Sequence, residues 1–137
     1  MIAPLPAAGL VVSTETRPFW EGCAAGELRL QWCGRCGSVI WYPRTHCPEC
    51  MSRDLHWRVA SGAGQIYSWT RVARGSGVWS ETRSYLLAIV ELAEGPRILT
   101  NLYADDDQEV AVGAAVAVVF DPALESEFAI PRFRLTN

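Results

Sequence analysis

The stretch CGRCGSVIWYPRTHCPEC, residues 33–50, decides the fold of this chain. It contains two Cys-x-x-Cys motifs that are separated by ten residues. Zn²⁺ takes four thiolates in a closed tetrahedral site, with Zn–S distances of about 2.3 Å. Ten residues are fewer than the usual spacer between such pairs, but they suffice for a hairpin that returns the second pair to the first. We therefore predict one Zn²⁺ per chain, held by Cys33, Cys36, Cys47 and Cys50.

Other uses of four cysteines remain open at this point. Two disulfides would need an oxidising compartment, whereas the rest of the sequence favours a cytoplasmic protein with reduced thiols. A thioredoxin-like redox site uses one Cys-x-x-Cys motif in a βαβ context, which two matched motifs do not fit. A rubredoxin-type iron centre has the same four ligands, so the spacing alone does not separate iron from zinc. Zinc is the prediction that we carry forward.

Composition narrows the class of protein. Half of the 137 residues are apolar, which is enough for a hydrophobic core, and no run of 18 apolar residues could span a bilayer. Residues 1–15 contain no Lys or Arg, so they are expected to form a loose arm rather than a secretory signal. The formal net charge of −3 argues against general binding of nucleic acid, because phosphate contacts dominate that affinity.

The segment before the cysteines predicts a short helix and the strands of the ribbon. Thr16 is a candidate N-cap, Pro18 suits the first turn, and a glycine at position 26 suits the exit. Phe19, Trp20 and Cys23 would share one face, which is expected to anchor the helix on a core and to bury Cys23 as a free thiol. Ribbon strands are predicted at residues 27–32, 39–42 and 55–59.

Everything after residue 60 alternates between strands and turns. Strands are predicted at residues 65–74, 85–92, 97–103, 115–120 and 128–135, and Pro131 marks the last as an edge or bulged strand. The strand at 85–92 is almost continuously apolar, which predicts that both of its faces are covered. Five short strands with glycine corners favour a small closed barrel of the OB type, although an open five-stranded sheet would give a similar pattern. The predicted units are residues 1–26 (arm and helix), 27–60 (ribbon) and 61–137 (barrel).

The sequence contains no complete catalytic motif among those with a known mechanism. Of the two histidines, His46 is expected in a loop beside the metal and His56 in a structural strand position. The acidic run at residues 105–107 is expected to be a solvated turn, because it lacks the spaced oxygen ligands of a calcium loop. Six tryptophans are many for so small a protein, and large aromatics with arginine are typical of interfaces. A scaffold or recognition protein is therefore favoured over a complete enzyme.

Taken in order, the motifs resemble the DUF35 family. The resemblance rests on PFWEG at 18–22, GEL at 26–28, CGRCG at 33–37, PR at 43–44, CPEC at 47–50 and SGAGQIYSWT at 61–70. It implies a mainly β protein with a short N-terminal helix, a rubredoxin-like zinc ribbon and a C-terminal five-stranded OB-fold. It also implies an accessory subunit of thiolase-superfamily aldolases or thiolases, acting on steroid side-chain or aromatic acyl-CoA esters. The partner would carry the catalytic residues, in a hetero-oligomer with two or more copies of each subunit.

A CoA-thioester site is the further expectation from this resemblance. Phosphates favour arginine forks, and an adenine favours an aromatic platform. Candidates by residue type are Trp69, Arg71 and Arg74 on the first barrel strand and its loop, with Arg44 of the ribbon facing them. The helix that carries Phe19 and Trp20, together with the ribbon, is a lesser candidate for docking the partner. A zinc-ribbon/OB nucleic-acid module and an iron-containing electron carrier remain the alternative functions.

Overall fold

The computed structural model describes residues 5–7 and 9–136, and its architecture is mainly β. One helix, α1 (Arg17–Ala24), precedes a three-stranded sheet of β1 (Arg29–Cys33), β2 (Val39–Ile40) and β3 (Leu55–Val59). Five more strands follow: β4 (Ala63–Val72), β5 (Tyr85–Leu92), β6 (Arg97–Tyr103), β7 (Ala115–Pro122) and β8 (Ala129–Leu135). A short 3₁₀ turn, Gly77–Trp79, lies between β4 and β5. No helix in the described ranges is long and apolar enough to cross a membrane.

Helix α1 begins and ends near the predicted residues, but its first turn differs from the prediction. Thr16 stands at the cap position, where its backbone oxygen accepts from the N–H of Trp20 at 3.2 Å but its side chain bonds to no helix N–H. Its hydroxyl instead accepts a hydrogen bond from the backbone N–H of Ser13 at 3.0 Å, so Thr16 closes the turn before the helix. Phe19 and Cys23 are each only 1% exposed, which confirms that this face anchors the helix on the core.

The ribbon sheet has the order β2-β1-β3, and all its pairs are antiparallel. Strand β2 was predicted to run to residue 42, but it ends at Ile40. The chain leaves the sheet there because Trp41 packs towards the helix, with its ring 5.3 Å from that of Phe19. Strand β1 begins two residues later than predicted, because the backbone N–H of Glu27 donates to Gly22 O at 2.8 Å and so belongs to the turn after the helix.

The five C-terminal strands close into a barrel with the order β4-β5-β6-β8-β7, in which β7 pairs back with β4. This confirms the barrel and excludes the open sheet. Strand β8 pairs with β6 only at Phe133 and Arg134, so Pro131 lies where β7 is its one neighbour. A residue without a backbone N–H is tolerated there, as predicted for an edge position.

A bulge at Tyr67 changes which residues of β4 face the barrel interior. Register shifts between Ile66 and Ser68, so Ile66 pairs with Val90 while Arg71 pairs with Leu86. Residues directly opposite each other in an antiparallel pair share a face. Because Val90 and Leu86 are buried, the bulge directs Arg71 to the inner side of the sheet, at the end of the barrel.

One hydrophobic core joins the helix, the base of the ribbon and the barrel. Phe19, Leu28 and Leu30 belong to the same buried cluster as Val90 and Phe133 of the barrel. A second, smaller cluster surrounds the cysteines and consists of Cys33, Ile40 and Cys47, with Cys50 and Leu55 packed against it. The tip of the ribbon therefore has little apolar support apart from its cysteines.

Within this chain, only the inner face of β5 is fully covered, so the prediction that both faces are covered stays untested for the outer face. Inward-facing Leu86, Ala88, Val90 and Leu92 are buried, whereas the outward-facing residues between them are only half-buried. Ile89 lies opposite Leu99 of β6, whose side chain is 67% exposed. The barrel thus has an apolar outer surface that no described residue covers.

Candidate metal centre and ligand cavity

The four predicted cysteines meet at one point. Their sulfur atoms all lie within 4.8 Å of one another, and no other described residues of the metal-binding types form such a cluster. The Sγ atoms of Cys33 and Cys50 are 3.6 Å apart, as are those of Cys36 and Cys47. These separations are too long for disulfides, and they match the edge of roughly 3.8 Å that a tetrahedron with 2.3 Å Zn–S bonds requires.

The two cysteine turns are built in the same way. The backbone N–H of Cys33 donates to Ser38 O at 2.9 Å, and that of Cys47 donates to Ser52 O at 2.8 Å. Each turn thereby aims its two sulfurs inward from opposite sides. The backbone N–H of Cys36 also points at Cys33 Sγ, at 3.4 Å, as expected where N–H groups disperse thiolate charge.

The residue after each pair adopts a left-handed backbone conformation. Gly37 has φ +77° and Met51 has φ +64°. The geometry of the second turn is therefore retained without a glycine. A side chain in this region costs about 1–2 kcal/mol, and Met51, which is 69% exposed, gains little packing in return. The closure of the metal site has to offset this strain.

The electrostatics of the cluster favour a cation. Hydrogen bonding from the hydroxyl and backbone of Ser38 lowers the pKa of Cys36 to about 6, and the backbone N–H of Cys36 lowers the pKa of Cys33. The backbone N–H of Ser52 also lowers the pKa of Cys50, but burial and the three neighbouring sulfurs outweigh it and raise that pKa to about 12. Four thiolates this close repel one another, so a bound divalent cation is what allows all four to ionise together.

Both histidines lie outside the sulfur cluster. Arg53 Nε donates to His46 Nε2 at 2.9 Å, and His46 Nδ1 lies 2.9 Å from Thr45 Oγ1. These contacts use both ring nitrogens of His46, as expected for a loop residue beside the metal. His56 lies on β3, where its Nε2 contacts Asp54 Oδ1 at 2.7 Å.

A buried amide fixes the loop that carries Arg44. Gln31, 5% exposed, donates from Nε2 to the backbone oxygen of Arg44 and accepts from its backbone N–H at Oε1, both at 2.9 Å. The Arg44 guanidinium bonds back to Tyr42 O at 3.0 Å and is solvent-exposed. No described contact joins it to the other predicted CoA residues.

A cavity of about 450 Å³ opens at one end of the barrel. Its walls come from the end of β4, the start of β5, the end of β6, the acidic loop and the N-terminal arm. The lining residues are Leu5, Arg71, Arg83, Ser84, Tyr85, Leu86, Leu102, Tyr103, Ala104, Asp105, Asp106, Gln108 and Val110. Leu86 and Leu102 provide an apolar floor, and the guanidinium groups of Arg71 and Arg83 have no ion-pair or hydrogen-bond partner among the described residues.

The structure places one of the four predicted CoA residues, Arg71, on this cavity. Trp69, 38% exposed, and Arg74 lie on the same strand and loop but outside the lining. Arg83 was missed, because the loop between β4 and β5 has no sequence pattern that reveals which side chains turn inward. Only the proximity of the two loop ends brings Arg83 to the same cavity as Arg71.

A buried ionic cluster beside the cavity was also missed. Arg132, 2% exposed, pairs with Asp121 at 2.7 Å, and the Tyr103 hydroxyl donates to the same carboxylate. Burial raises the pKa of Tyr103, and the Asp121 carboxylate adds to this effect, so the hydroxyl stays protonated. The guanidinium also reaches the backbone oxygens of Leu5 and Pro6.

Comparisons with known proteins match both halves of the chain. Residues 20–56 match the family model described as ChsH2, rubredoxin-like zinc ribbon domain. Residues 57–121 match the model described as ChsH2, C-terminal OB-fold domain. These descriptions agree with the metal site and with the closed barrel.

Named relatives and a solved structure extend this similarity. A DUF35 domain-containing scaffold protein of Methanothermobacter thermautotrophicus is 33% identical over 89 residues, 64% of this chain and 67% of the relative. A probable enoyl-CoA hydratase alpha subunit of Thermomonospora curvata is 33% identical over 117 residues, 85% of this chain but only 36% of that longer protein. A chain of the Ltp2-ChsH2(DUF35) aldolase structure superposes with a TM-score of 0.81 and 28% identity, covering 94% of this chain and 100% of that one.

Proposed function

The chain belongs to the DUF35 family, and from this we propose that it is a non-catalytic accessory subunit of a thiolase-like acyl-CoA enzyme. The observation that carries the proposal is its similarity, along nearly its whole length, to a complete chain of the Ltp2-ChsH2(DUF35) aldolase. The relatives named as a scaffold and as a hydratase alpha subunit support a subunit role. In the proposed complex the partner supplies the catalytic residues, while this chain supports assembly and the binding of the CoA thioester.

The metal has a structural role in this proposal. Four cysteine ligands fill a tetrahedral shell, which leaves no position for a water or a substrate carbonyl. The zinc ribbon would then hold the loop of residues 41–46 and the base of the barrel in a fixed relation. Turnover of acyl-CoA by the isolated chain is not expected.

We place the CoA thioester at the cavity at the end of the barrel. Unpaired guanidinium groups of Arg71 and Arg83 suit phosphate oxygens, and the Leu86 and Leu102 floor suits an apolar segment of the same molecule. Trp69 and Arg74 would contact parts of the ligand outside the cavity. We also retain Arg44 as a proposed contact between the ribbon and the CoA thioester.

The test is a titration of the intact chain with acetyl-CoA by calorimetry. Arg71→Ala and Arg83→Ala should each weaken binding roughly tenfold, because a hydrogen bond to a charged group contributes about 1.5–3 kcal/mol. Arg44→Ala, Trp69→Ala and Arg74→Ala should have smaller effects. Arg58→Ala is the control, because the Arg58 guanidinium lies over the Trp32 ring on the ribbon and does not line the cavity. This variant should bind acetyl-CoA with the affinity of the unchanged chain. Unchanged affinity in both Arg71→Ala and Arg83→Ala would place the ligand elsewhere.

The outer face of β5 and β6 is our proposed docking surface for the catalytic subunit. Leu87 and Ile89 are half-buried, Leu99 is exposed, and Tyr67 extends the patch beneath the Arg97 guanidinium, 3.8 Å from its ring centre. This outer face is continuous with the cavity. Tyr85 and Tyr103, the outward-facing residues at the ends of β5 and β6, line the cavity. A subunit seated here would therefore meet the ligand.

Leu99→Glu should abolish copurification with a coexpressed thiolase-superfamily partner from the same genome. The charge would be buried against an apolar partner surface without a counterion, which is costly. Leu124→Glu is a matched control, because Leu124 is 66% exposed and lies away from this face. Equal recovery of the complex with both variants would exclude this surface.

No specific observation favours the nucleic-acid alternative. OB barrels that bind oligonucleotides use the face formed by their second and third strands, which here are β5 and β6. On this chain that face presents aliphatic side chains, and the Arg97 guanidinium already pairs with Glu91 at 3.0 Å. The acidic net charge of the chain also opposes phosphate binding along such a face.

A further inference from the structure

The buried guanidinium of Arg132 is unusual because two of its partners belong to the N-terminal arm. Arg132 Nη1 donates to Leu5 O at 3.0 Å, and Nη2 donates to Pro6 O. The backbone N–H of Leu5 in turn donates to the Tyr103 hydroxyl at 3.0 Å. Three hydrogen bonds thus fix the backbone of two consecutive arm residues, across 98 to 127 residues of sequence.

The arm supplies two of the hydrogen-bond acceptors around this charge. A buried guanidinium is less costly when its charge is paired and its N–H groups are hydrogen-bonded, and both Nη atoms of Arg132 have partners while its buried Nε has none in the described part of the chain. Asp121 supplies the counter-charge, and the two arm carbonyls accept hydrogen bonds from both Nη atoms of the guanidinium. The contact between Arg132 and the arm is therefore a buried contact made by specific hydrogen bonds.

One of these two arm residues, Leu5, also stands at the cavity. Leu5 contributes to its lining, next to Tyr103, which belongs both to the cavity wall and to the cluster that holds the arm. Without the arm, the cavity would be open on this side. Arg71 and Arg83 line the same cavity, so a ligand there would contact both these guanidinium groups and Leu5 of the arm.

We propose that residues 5–6 are a strap that closes one side of the ligand cavity, and that Tyr103, Asp121 and Arg132 are the tether that holds the strap shut. The ligand class rests on the proposed function: an anionic molecule with an apolar segment, such as a CoA thioester, with its apolar segment against Leu5. Tyr103, Asp121 and Arg132 act through the strap and are positioning residues. Passage of a ligand on this side requires the three hydrogen bonds to the arm to break.

The test uses a thiol placed inside the cavity, so that it does not depend on the ligand. Ala104 is half-buried and lines the cavity, and Ala104→Cys changes its volume little. The rate at which a maleimide labels this cysteine in the zinc-loaded chain, followed by peptide mass spectrometry, reports how often the strap opens. Hydrogen exchange of the Leu5 amide reports the tether directly.

Arg132→Gln and Tyr103→Phe in the Ala104→Cys background should each raise the labelling rate roughly tenfold, the factor that corresponds to losing about 1.4 kcal/mol of hydrogen bonding. Both should also speed exchange of the Leu5 amide. Arg134→Gln is the matched control, because Arg134 lies two residues along the same strand and is exposed. It should leave both rates unchanged. Equal labelling in the tether variants and this control would overturn the strap.

A chain that lacks residues 1–6 is a second test, which stays valid if Arg132→Gln fails to fold. It removes the strap but keeps the ion pair between Arg132 and Asp121, so it should fold and be labelled about as fast as the tether variants. Labelling at the rate of the full chain would overturn the proposal. The outcome is separable from that of the acetyl-CoA titration: a chain that fails to bind acetyl-CoA yet shows strap-dependent labelling has the strap with a different ligand.

Discussion

A chain with Cys36→Ser should be recovered without its zinc and with the tip of its ribbon unfolded. Structural zinc contributes on the order of 10–16 kcal/mol of apparent binding free energy in small zinc domains, which exceeds the whole stability of many domains. Removing one thiolate opens the shell, and the small cluster around Cys33, Ile40 and Cys47 cannot hold the tip together by apolar contacts alone. Hydrogen exchange should therefore rise sharply across residues 33–55.

The barrel should survive this loss. Leu28 and Leu30 at the base of the ribbon pack in the core of the barrel and not in the cysteine cluster. Metal content per chain and exchange of the β5 amides are the two measurements. Cys23→Ala is the control, since Cys23 is buried outside the cluster and should keep one zinc. A folded, metal-free Cys36→Ser chain that still assembles with its partner would count against a structural zinc. The colour of the purified chain distinguishes the two metals, because an iron centre would be coloured and a zinc site would be colourless.

Phe19→Ala should lower the free energy of unfolding by about 3–5 kcal/mol, the usual cost of truncating a fully buried phenylalanine. Phe19 is 1% exposed, and its ring meets those of Trp20 at 5.0 Å and Trp41 at 5.3 Å. It therefore joins the helix to the ribbon and to the barrel at once. Urea unfolding followed by circular dichroism measures the change.

Leu99→Ala is the control for this change and should alter stability by less than about 0.5 kcal/mol, because its side chain is largely exposed. If the Phe19→Ala chain were stable but no longer bound the partner, the result would support the earlier prediction that the helix docks the partner. The burial of Phe19 corrects that expectation: only the half-buried Trp20 and the outer residues of the helix remain accessible.

Local patterns predicted much of this fold. The spacing of the cysteine pairs is a short-range constraint, and it was sufficient to predict that the four sulfur atoms lie together. The strands at residues 85–92 and 97–103 were likewise predicted with their observed bounds, because apolar runs between turn residues are also local signals. Met51 shows the limit of such rules, because a turn can keep its φ without glycine when metal binding offsets the strain.

The parts that sequence could not predict depend on contacts between distant segments. Arg132 meets Leu5 across the whole chain, and Arg83 joins Arg71 only because the barrel brings two strand ends together. The bulge at Tyr67 moved Arg71 to the inner side of the sheet, which an unbroken alternation would not place there. The apolar run of β5 was correctly identified as a strand, but the run itself does not say whether a second subunit covers its outer face.

The amide of Gln31 has a consequence for how this family can diversify. It holds residue 44 through that residue's backbone N–H and C=O alone, so the side chain at position 44 takes no part in securing the loop. Any amino acid except proline, which lacks the N–H, could occupy this position at little cost to the fold. Selection can therefore change the chemistry displayed on this loop, from one member to another, while the scaffold beneath it stays the same.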